Sequence, residues 1–294
     1  MVNTIRNPVE WSTDQLKSFF DYLRSVGTKL GGAEAEVSSP RPRVRQIAIA
    51  DLKTALRKGV ADFAACRSDV IFLCIAYPFI GICVTWFAFD RNLLPLLFPA
   101  VSGFALVGPI AAIGTYEMSR RRERGDETRW TDVFRVIGSP SFGAILVLGL
   151  FLLAIFVVWM TTAMGIYNVT LGPEPPASIT GFAHDVLTTE AGWAMIVIGF
   201  SVGFLFAVVV LAISVVSFPL LLDRDVGLPV AVITSVRATA LNAPVIGVWG
   251  LIVAGGLAIG SLPVFLGLIL VMPVLGHATW HLYRAVVAQE QATN

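Results

Sequence analysis

The sequence predicts an all-α membrane protein of six transmembrane helices, arranged as three hairpins that are each preceded by a cytoplasmic amphipathic helix. Three observations carry that reading. The chain of 294 residues is 56% hydrophobic and only 14% charged, far more apolar than a soluble domain needs. Its uncharged stretches divide into single or double bilayer crossings of about 20 residues each. Its basic residues collect between alternate stretches, as they do on the cytoplasmic side of membrane proteins.

The first 45 residues form a polar N-terminal extension. Within it, Trp11 to Leu30 has the pattern of an amphipathic helix. Ser12 and Gln15 have capping-box spacing, and Leu16, Phe19, Phe20 and Leu23 recur at i, i+3, i+4 and i+7. Gly31 and Gly32 end it, and the Gly, Ser, Pro and Arg composition to Arg45 reads as a flexible linker. No apolar core precedes a small-residue cleavage site, so the first span is expected to insert directly and remain. A second amphipathic helix follows, marked by Ile49, Leu52, Leu56, Val60 and Phe63. Its Lys53, Arg57, Lys58 and Arg67 suit anionic headgroups.

The transmembrane domain runs from 46 to 288, with a short tail over 289–294. Val70 to Phe89 is the first span, bracketed by Asp69 and Asp90, and Leu93 to Tyr116 is the second, entered after the Asp90-Arg91-Asn92 turn. Phe142 to Gly165 is the third, and Ala191 to Leu222 a long fourth whose excess length calls for tilt or protrusion. Ala238 to Gly276 is uncharged throughout. At about 1.5 Å per residue it is nearly twice the length of one crossing, so it divides at Gly260-Ser261-Leu262-Pro263 into a fifth span over 243–260 and a sixth over 264–282.

Orientation follows from the Lys and Arg residues. Residues 41–67 hold seven, the Ser119–Ser139 loop six, the Asp223–Ala243 loop two, and the tail region Arg284, whereas the opposite side has Arg91 alone. Both termini are therefore expected in the cytoplasm. Arg57, Lys58, Arg120, Arg121, Arg122 and Arg124 are the residues expected at the membrane surface. The Ile166–Glu190 loop, with Pro173, Pro175 and Pro176 and no basic residue, faces outward.

The three hairpins resemble one another. Asp51–Arg67, Thr131–Gly138 and Pro229–Leu241 precede them, and the second member of each carries a proline: Pro109, Pro219 and Pro273. Anchored on that proline, Glu117 and His281 fall at the eighth position and Arg120 and Arg284 at the eleventh, with Asp223 and Arg224 at the fourth and fifth in the middle copy. Parallel repeats of this kind imply pseudo-threefold packing about the membrane normal. Gly199 with Gly203, and Gly256 with Gly260, have the spacing that lets helices approach closely, here within one bundle.

Chemistry is sparse. The spans lack ionisable residues other than cysteine and tyrosine until the cytoplasmic rim, where His277 and His281 share a helix face. Imidazoles at i and i+4, joined by Glu117 and Asp223, are a candidate donor set for a metal or haem. His184, Asp185 and Glu190 read as solvated loop residues, and Cys66, Cys74 and Cys83 as small apolar residues in packed helices. There is no phosphate loop, dinucleotide fingerprint, zinc-protease motif or nucleophile elbow, and no basic, aromatic face outside the membrane for nucleic acid.

The run Ser214-Val215-Val216-Ser217-Phe218-Pro219-Leu220-Leu221-Leu222-Asp223-Arg224-Asp225, with Gly276-His277-Ala278-Thr279-Trp280-His281-Leu282-Tyr283-Arg284, resembles the bacterial integral membrane family called domain of unknown function 2189. Gly108-Pro109, Tyr116-Glu117-Met118-Ser119-Arg120-Arg121 and Leu187-Thr188-Thr189-Glu190 carry the same resemblance, which spans roughly Asp51 to Val287. It implies a bacterial inner-membrane location and no defined activity. Some members of that family are labelled as cytochrome c oxidase subunits, yet oxidase catalytic subunits need more intramembrane histidines than this chain has. The expectation is a non-catalytic accessory, scaffold or assembly partner of a membrane complex, a respiratory one included, in contact with the lipid bilayer and without a cofactor. The alternatives are a binder or transporter of a lipid or small apolar molecule, and a metal or haem redox protein built on His277 and His281.

Overall fold

The structure is a computed structural model that describes residues 42–74, 76–90, 93–126, 136 and 138–288. The amphipathic helix expected over 11–30, the turn at 91–92 and most of the Thr131–Gly138 segment lie outside the described residues. Among those described the chain is almost wholly helical. The elements are α1 (Ile49–Cys74), α2 (Ala76–Asp90), a 3-10 turn at Leu94–Leu96, α3 (Leu97–Ala111), α4 (Ile113–Glu123), α5 (Phe142–Thr170), α6 (Ile179–Thr188), α7 (Glu190–Ser214), α8 (Ser217–Asp223), α9 (Leu228–Leu241), α10 (Ala243–Ser261) and α11 (Leu268–Val286).

Among the described residues three stretches are long and apolar enough to cross a bilayer: Phe142–Thr170, Glu190–Asp223 taken through its break, and Ala243–Ser261. Their apolar residues face outward. In the most hydrophobic part of Glu190–Asp223 only 6% of residues are buried, and Phe200, Phe204 and Leu205 stand exposed. An outward apolar surface of this extent needs lipid around it. Tyr77–Trp86, Leu94–Gly103 and Leu228–Leu241 are shorter apolar helices.

Two expected spans are broken near their prolines. Leu93–Tyr116 divides at Ala112, where α3 ends and α4 starts in a new direction. Pro109, inside α3, has no N–H to give and crowds the preceding turn. Ala191–Leu222 divides at Val215 and Val216. There the Ser235 hydroxyl on α9 takes the Val216 N–H at 3.2 Å and donates to the Ala212 carbonyl at 2.7 Å. Ser217 donates to the Ala231 carbonyl at 3.2 Å. The Ser235 hydroxyl on α9 and the Ser217 hydroxyl on α8 thus tie the broken segment to α9, and Pro219 falls in the first turn of α8, where a missing N–H costs little. Pro273 is carried inside α11 without a break.

The amphipathic helix before the first span is the first part of α1, which kinks at Cys66. Its apolar face is covered by α11, not by lipid, and that face is rotated from the expected one. Leu52, Ala55, Gly59, Asp62 and Cys66 are buried, whereas Ile49 and Val60 are 54% and 51% exposed. Contact with α11 is close because Gly59 lacks a side chain: a Cβ there would lie 2.6 Å from the Ala278 nitrogen.

The chain leading into α1 is tied to the chain leaving α11. Arg45 N–H donates to the Val286 carbonyl at 2.8 Å and Ala288 N–H to the Arg43 carbonyl at 2.8 Å. Asn242, buried between α9 and α10, accepts from Ile47 N–H at 2.8 Å and donates to the Arg45 carbonyl at 3.1 Å. Helices α5 and α7 pack together, as do α10 and α11, and α2 and α3. Glycine spacing serves these contacts: Gly203 faces Trp159, and Gly256 and Gly260 face Val271 and Leu268, while a Cβ at Gly199 would meet nothing. The Ile166–Glu190 segment contains α6, capped by Ser178, and Thr189 caps α7.

Candidate functional site

A ring of ionisable side chains lies where α1, α4, α8 and α11 meet. Its first hub is Asp62, 7% exposed. One carboxylate oxygen lies 2.8 Å from His281 Nε2 and accepts the Ser119 hydroxyl at 2.6 Å. Ser119 Oγ is also 2.7 Å from His277 Nδ1. Arg122 approaches the other oxygen at 3.4 Å and donates to the Ala61 carbonyl at 3.0 Å. Burial alone would push the Asp62 carboxyl up. The hydrogen bonds from His281 and Ser119, with the fields of both imidazoles, outweigh burial and hold it below its ordinary value.

The second hub is Asp223, at the end of α8. It accepts the Tyr283 hydroxyl at 2.7 Å and an Arg284 nitrogen at 3.3 Å, and Arg124 lies 4.0 Å away. Arg284 also pairs with Glu123 at 3.0 Å, and Glu123 accepts the Trp280 indole N–H at 3.2 Å. Glu117, buried on α4, pairs with Arg120 at 2.7 Å, and Arg120 donates to the Leu222 carbonyl at 2.6 Å.

The four candidate ligands therefore do not form one donor set. His277 and His281 meet Asp62 and Ser119, Glu117 is held by Arg120, and Asp223 by Tyr283 and Arg284. Among the described residues, no group of three or more His, Cys, Asp or Glu side chains is placed to hold a metal ion. The six basic residues expected at the membrane surface also divide. Arg57 and Lys58 are exposed on α1; Arg120, Arg122 and Arg124 pair with Glu117, Asp62 and Asp223, the side chains of Arg122 and Arg124 remaining exposed, and Arg121 is half-buried. His184 and Asp185 lie on exposed α6, 3.6 Å apart.

Sequence reasoning missed Asp62, Ser119, Glu123 and Tyr283. A signal for Asp62 was available: it follows Leu52, Ala55 and Gly59 on one helix face, where a carboxylate needs a partner.

Beside the rim, among α3, α4, α7, α10 and α11, is a cavity of about 380 Å³. Leu106, Val210, Trp249, Leu257, Met272 and Leu275 are among its walls. The volume falls within the roughly 300–1,000 Å³ typical of small-molecule pockets. Kinked chain at Pro109 and side-chain-free surface at Gly108, Gly247 and Gly250 leave the space open.

No curated protein and no solved structure matches the chain. Residues 97–223, from the start of α3 to the end of α8, match a family model described as predicted integral membrane protein, DUF2189, a shorter stretch than the resemblance over 51–287. The matched segment holds Glu117, Ser119, the broken α7–α8 span and Asp223.

Proposed function

We propose that the chain is a non-catalytic, multi-pass inner-membrane protein that takes up a lipid or another apolar molecule in the cavity among α3, α7, α10 and α11. The observation that carries this reading is the cavity itself. It is walled almost wholly by hydrocarbon and bounded by two helices, α7 and α10, whose apolar residues face outward. A dry apolar cavity of this size gains most from an apolar occupant. Extraction of the purified full chain, in two detergents, followed by lipid mass spectrometry tests it. A retained lipid at near one per chain is expected, reduced at least several-fold in Gly247→Leu. Gly247 lies in the cavity wall, and a Cβ there would meet no atom within 4 Å, so the larger side chain is accommodated at the cavity's edge. Wild-type protein free of lipid in both detergents overturns the proposal.

The same proposal places the chain as three hairpins with both ends in the cytoplasm. Support comes from the ties along the rim. Residues 43–47 lie against 242 and 286–288, residue 120 against 222, and 223 against 283 and 284. Each chain segment between these points begins and ends at one level, so each crosses an even number of times. Partnership with a larger membrane complex, the accessory role read from the sequence, is addressed by mass spectrometry of proteins that co-purify in gentle detergent. Recovery of this chain alone in several detergents counts against that role.

A further inference from the structure

We infer that the cavity is a site for a neutral lipid with one hydroxyl or carbonyl head on a hydrocarbon chain, admitted from the bilayer between α7 and α10. The inference rests on the apolar-binder reading and names its ligand class and access route.

The lining decides the charge of the head. None of the residues around the cavity is Lys, Arg, Asp, Glu or His. A phosphate or carboxylate inside would be desolvated without a counter-charge, a cost of many-fold in affinity. The side chains around it that carry a polar atom are all neutral: the hydroxyls of Tyr116 on α4, Ser214 at the end of α7 and Thr279 on α11, and the indole of Trp249 on α10. Thr279 donates to the Leu275 carbonyl at 2.7 Å, which leaves its oxygen to accept.

Ser214 differs from its neighbours. Ser201 and Ser261 donate to carbonyls of their own helices at 2.7 and 2.8 Å. Ser214 is 2% exposed, lines the cavity, and has no hydrogen-bond partner among the described residues. A buried hydroxyl left unpaired is costly, and a ligand oxygen at that point satisfies it. Tyr116 adjoins Glu117 in the chain, and Ser214 is the last residue of α7, just before α8.

The access route follows from exposure. Phe204 on α7 and Leu251 on α10 line the cavity yet are 64% and 70% exposed, so the space reaches the outer apolar surface between these helices. The two share no extended packing. A chain lying in the bilayer can slide in sideways, its head passing to Ser214.

Three photoactivatable probes of equal chain length, hexadecanol, hexadecane and hexadecanoate at pH 8, test this on the purified full chain in detergent. Hexadecanol should label peptides of α7 and α10 with about ten-fold tighter saturation than hexadecanoate. Ser214→Ala should weaken hexadecanol about five-fold, to the level of hexadecane, without changing hexadecane, the effect of one lost hydrogen bond. Gly247→Leu and, as a second filling variant, Ala254→Phe should abolish labelling by all three, with melting temperatures confirming that each variant folds. Equal labelling by the alcohol and the alkane, in wild type and Ser214→Ala alike, overturns the head preference and leaves the apolar-binder reading standing. Hexadecanoate as tight as hexadecanol overturns the neutral head. Labelling indifferent to both filling variants overturns the site and the apolar-binder reading together.

Discussion

Asp62 is a carboxylate on the buried face of an otherwise apolar helix, and everything around it is arranged to keep it ionised. Ser119 and His281 occupy one oxygen and Arg122 approaches the other. Removing one partner from such a buried group costs more than the pair contributes, because the remaining polar groups lose water without gaining a bond. Asp62→Ala is therefore expected to destabilise the fold by about 3 kcal/mol, read as a lowered unfolding midpoint in detergent. The pH dependence has a definite sign. The folded carboxyl titrates below its ordinary value, so its contribution is complete above about pH 4 and is lost as the pH falls further, through the lowered folded value. Melting temperature should hold level down to about pH 4 and then drop, and in Asp62→Asn that acid-side drop should shrink.

At the scale of elements, the α1–α11 contact depends on small residues. Gly59 abuts Ala278, and on the side of α11 that meets α4 a Cβ at Gly276 would strike Thr115. Gly59→Ala should separate the two helices, because the atom it meets is backbone and cannot rotate away. A loss of about 1–3 kcal/mol is expected, the usual range for overpacking. Proteolysis at exposed Arg57 and Lys58 should accelerate in the same variant. The broken span between α7 and α8 is the other element that its own sequence does not explain. Pro219 sits four residues past the break, and the bonds that hold the break come from Ser235 on α9.

At the scale of the molecule, the ties between residues 43–47 and 286–288 bring the two ends of the described chain to one level. Among the described residues three helices qualify by length and apolarity for a crossing, an odd number, whereas ends at one level demand an even one. The interrupted α3 and the shorter α2, with α11, supply the remaining crossings in the proposed arrangement. Reporter fusions after Asn294 and after Asp126 should be active only in the cytoplasm, and one within 173–178 only outside it. Periplasmic activity after Asn294 would sink the arrangement.

Hydropathy by itself determined that the chain lives in lipid, where α5 and α10 begin and end to within a few residues and where α7 begins, and that polar groups gather at one rim. Those features are local: apolar length and charge placement are properties of consecutive residues. Which face of α1 is buried was not legible, because close packing on α11 selects Ala55, Gly59 and Asp62 over the more apolar Ile49 and Val60. Nor was the division of His277, His281, Glu117 and Asp223 into separate hubs, since the deciding partners, Asp62 and Ser119 on one side and Arg120, Tyr283 and Arg284 on the other, are joined by folding rather than by sequence spacing. The cavity is the extreme case. Its walls come from five helices, and only their tertiary packing sets the unpaired Ser214 hydroxyl inside a shell of hydrocarbon.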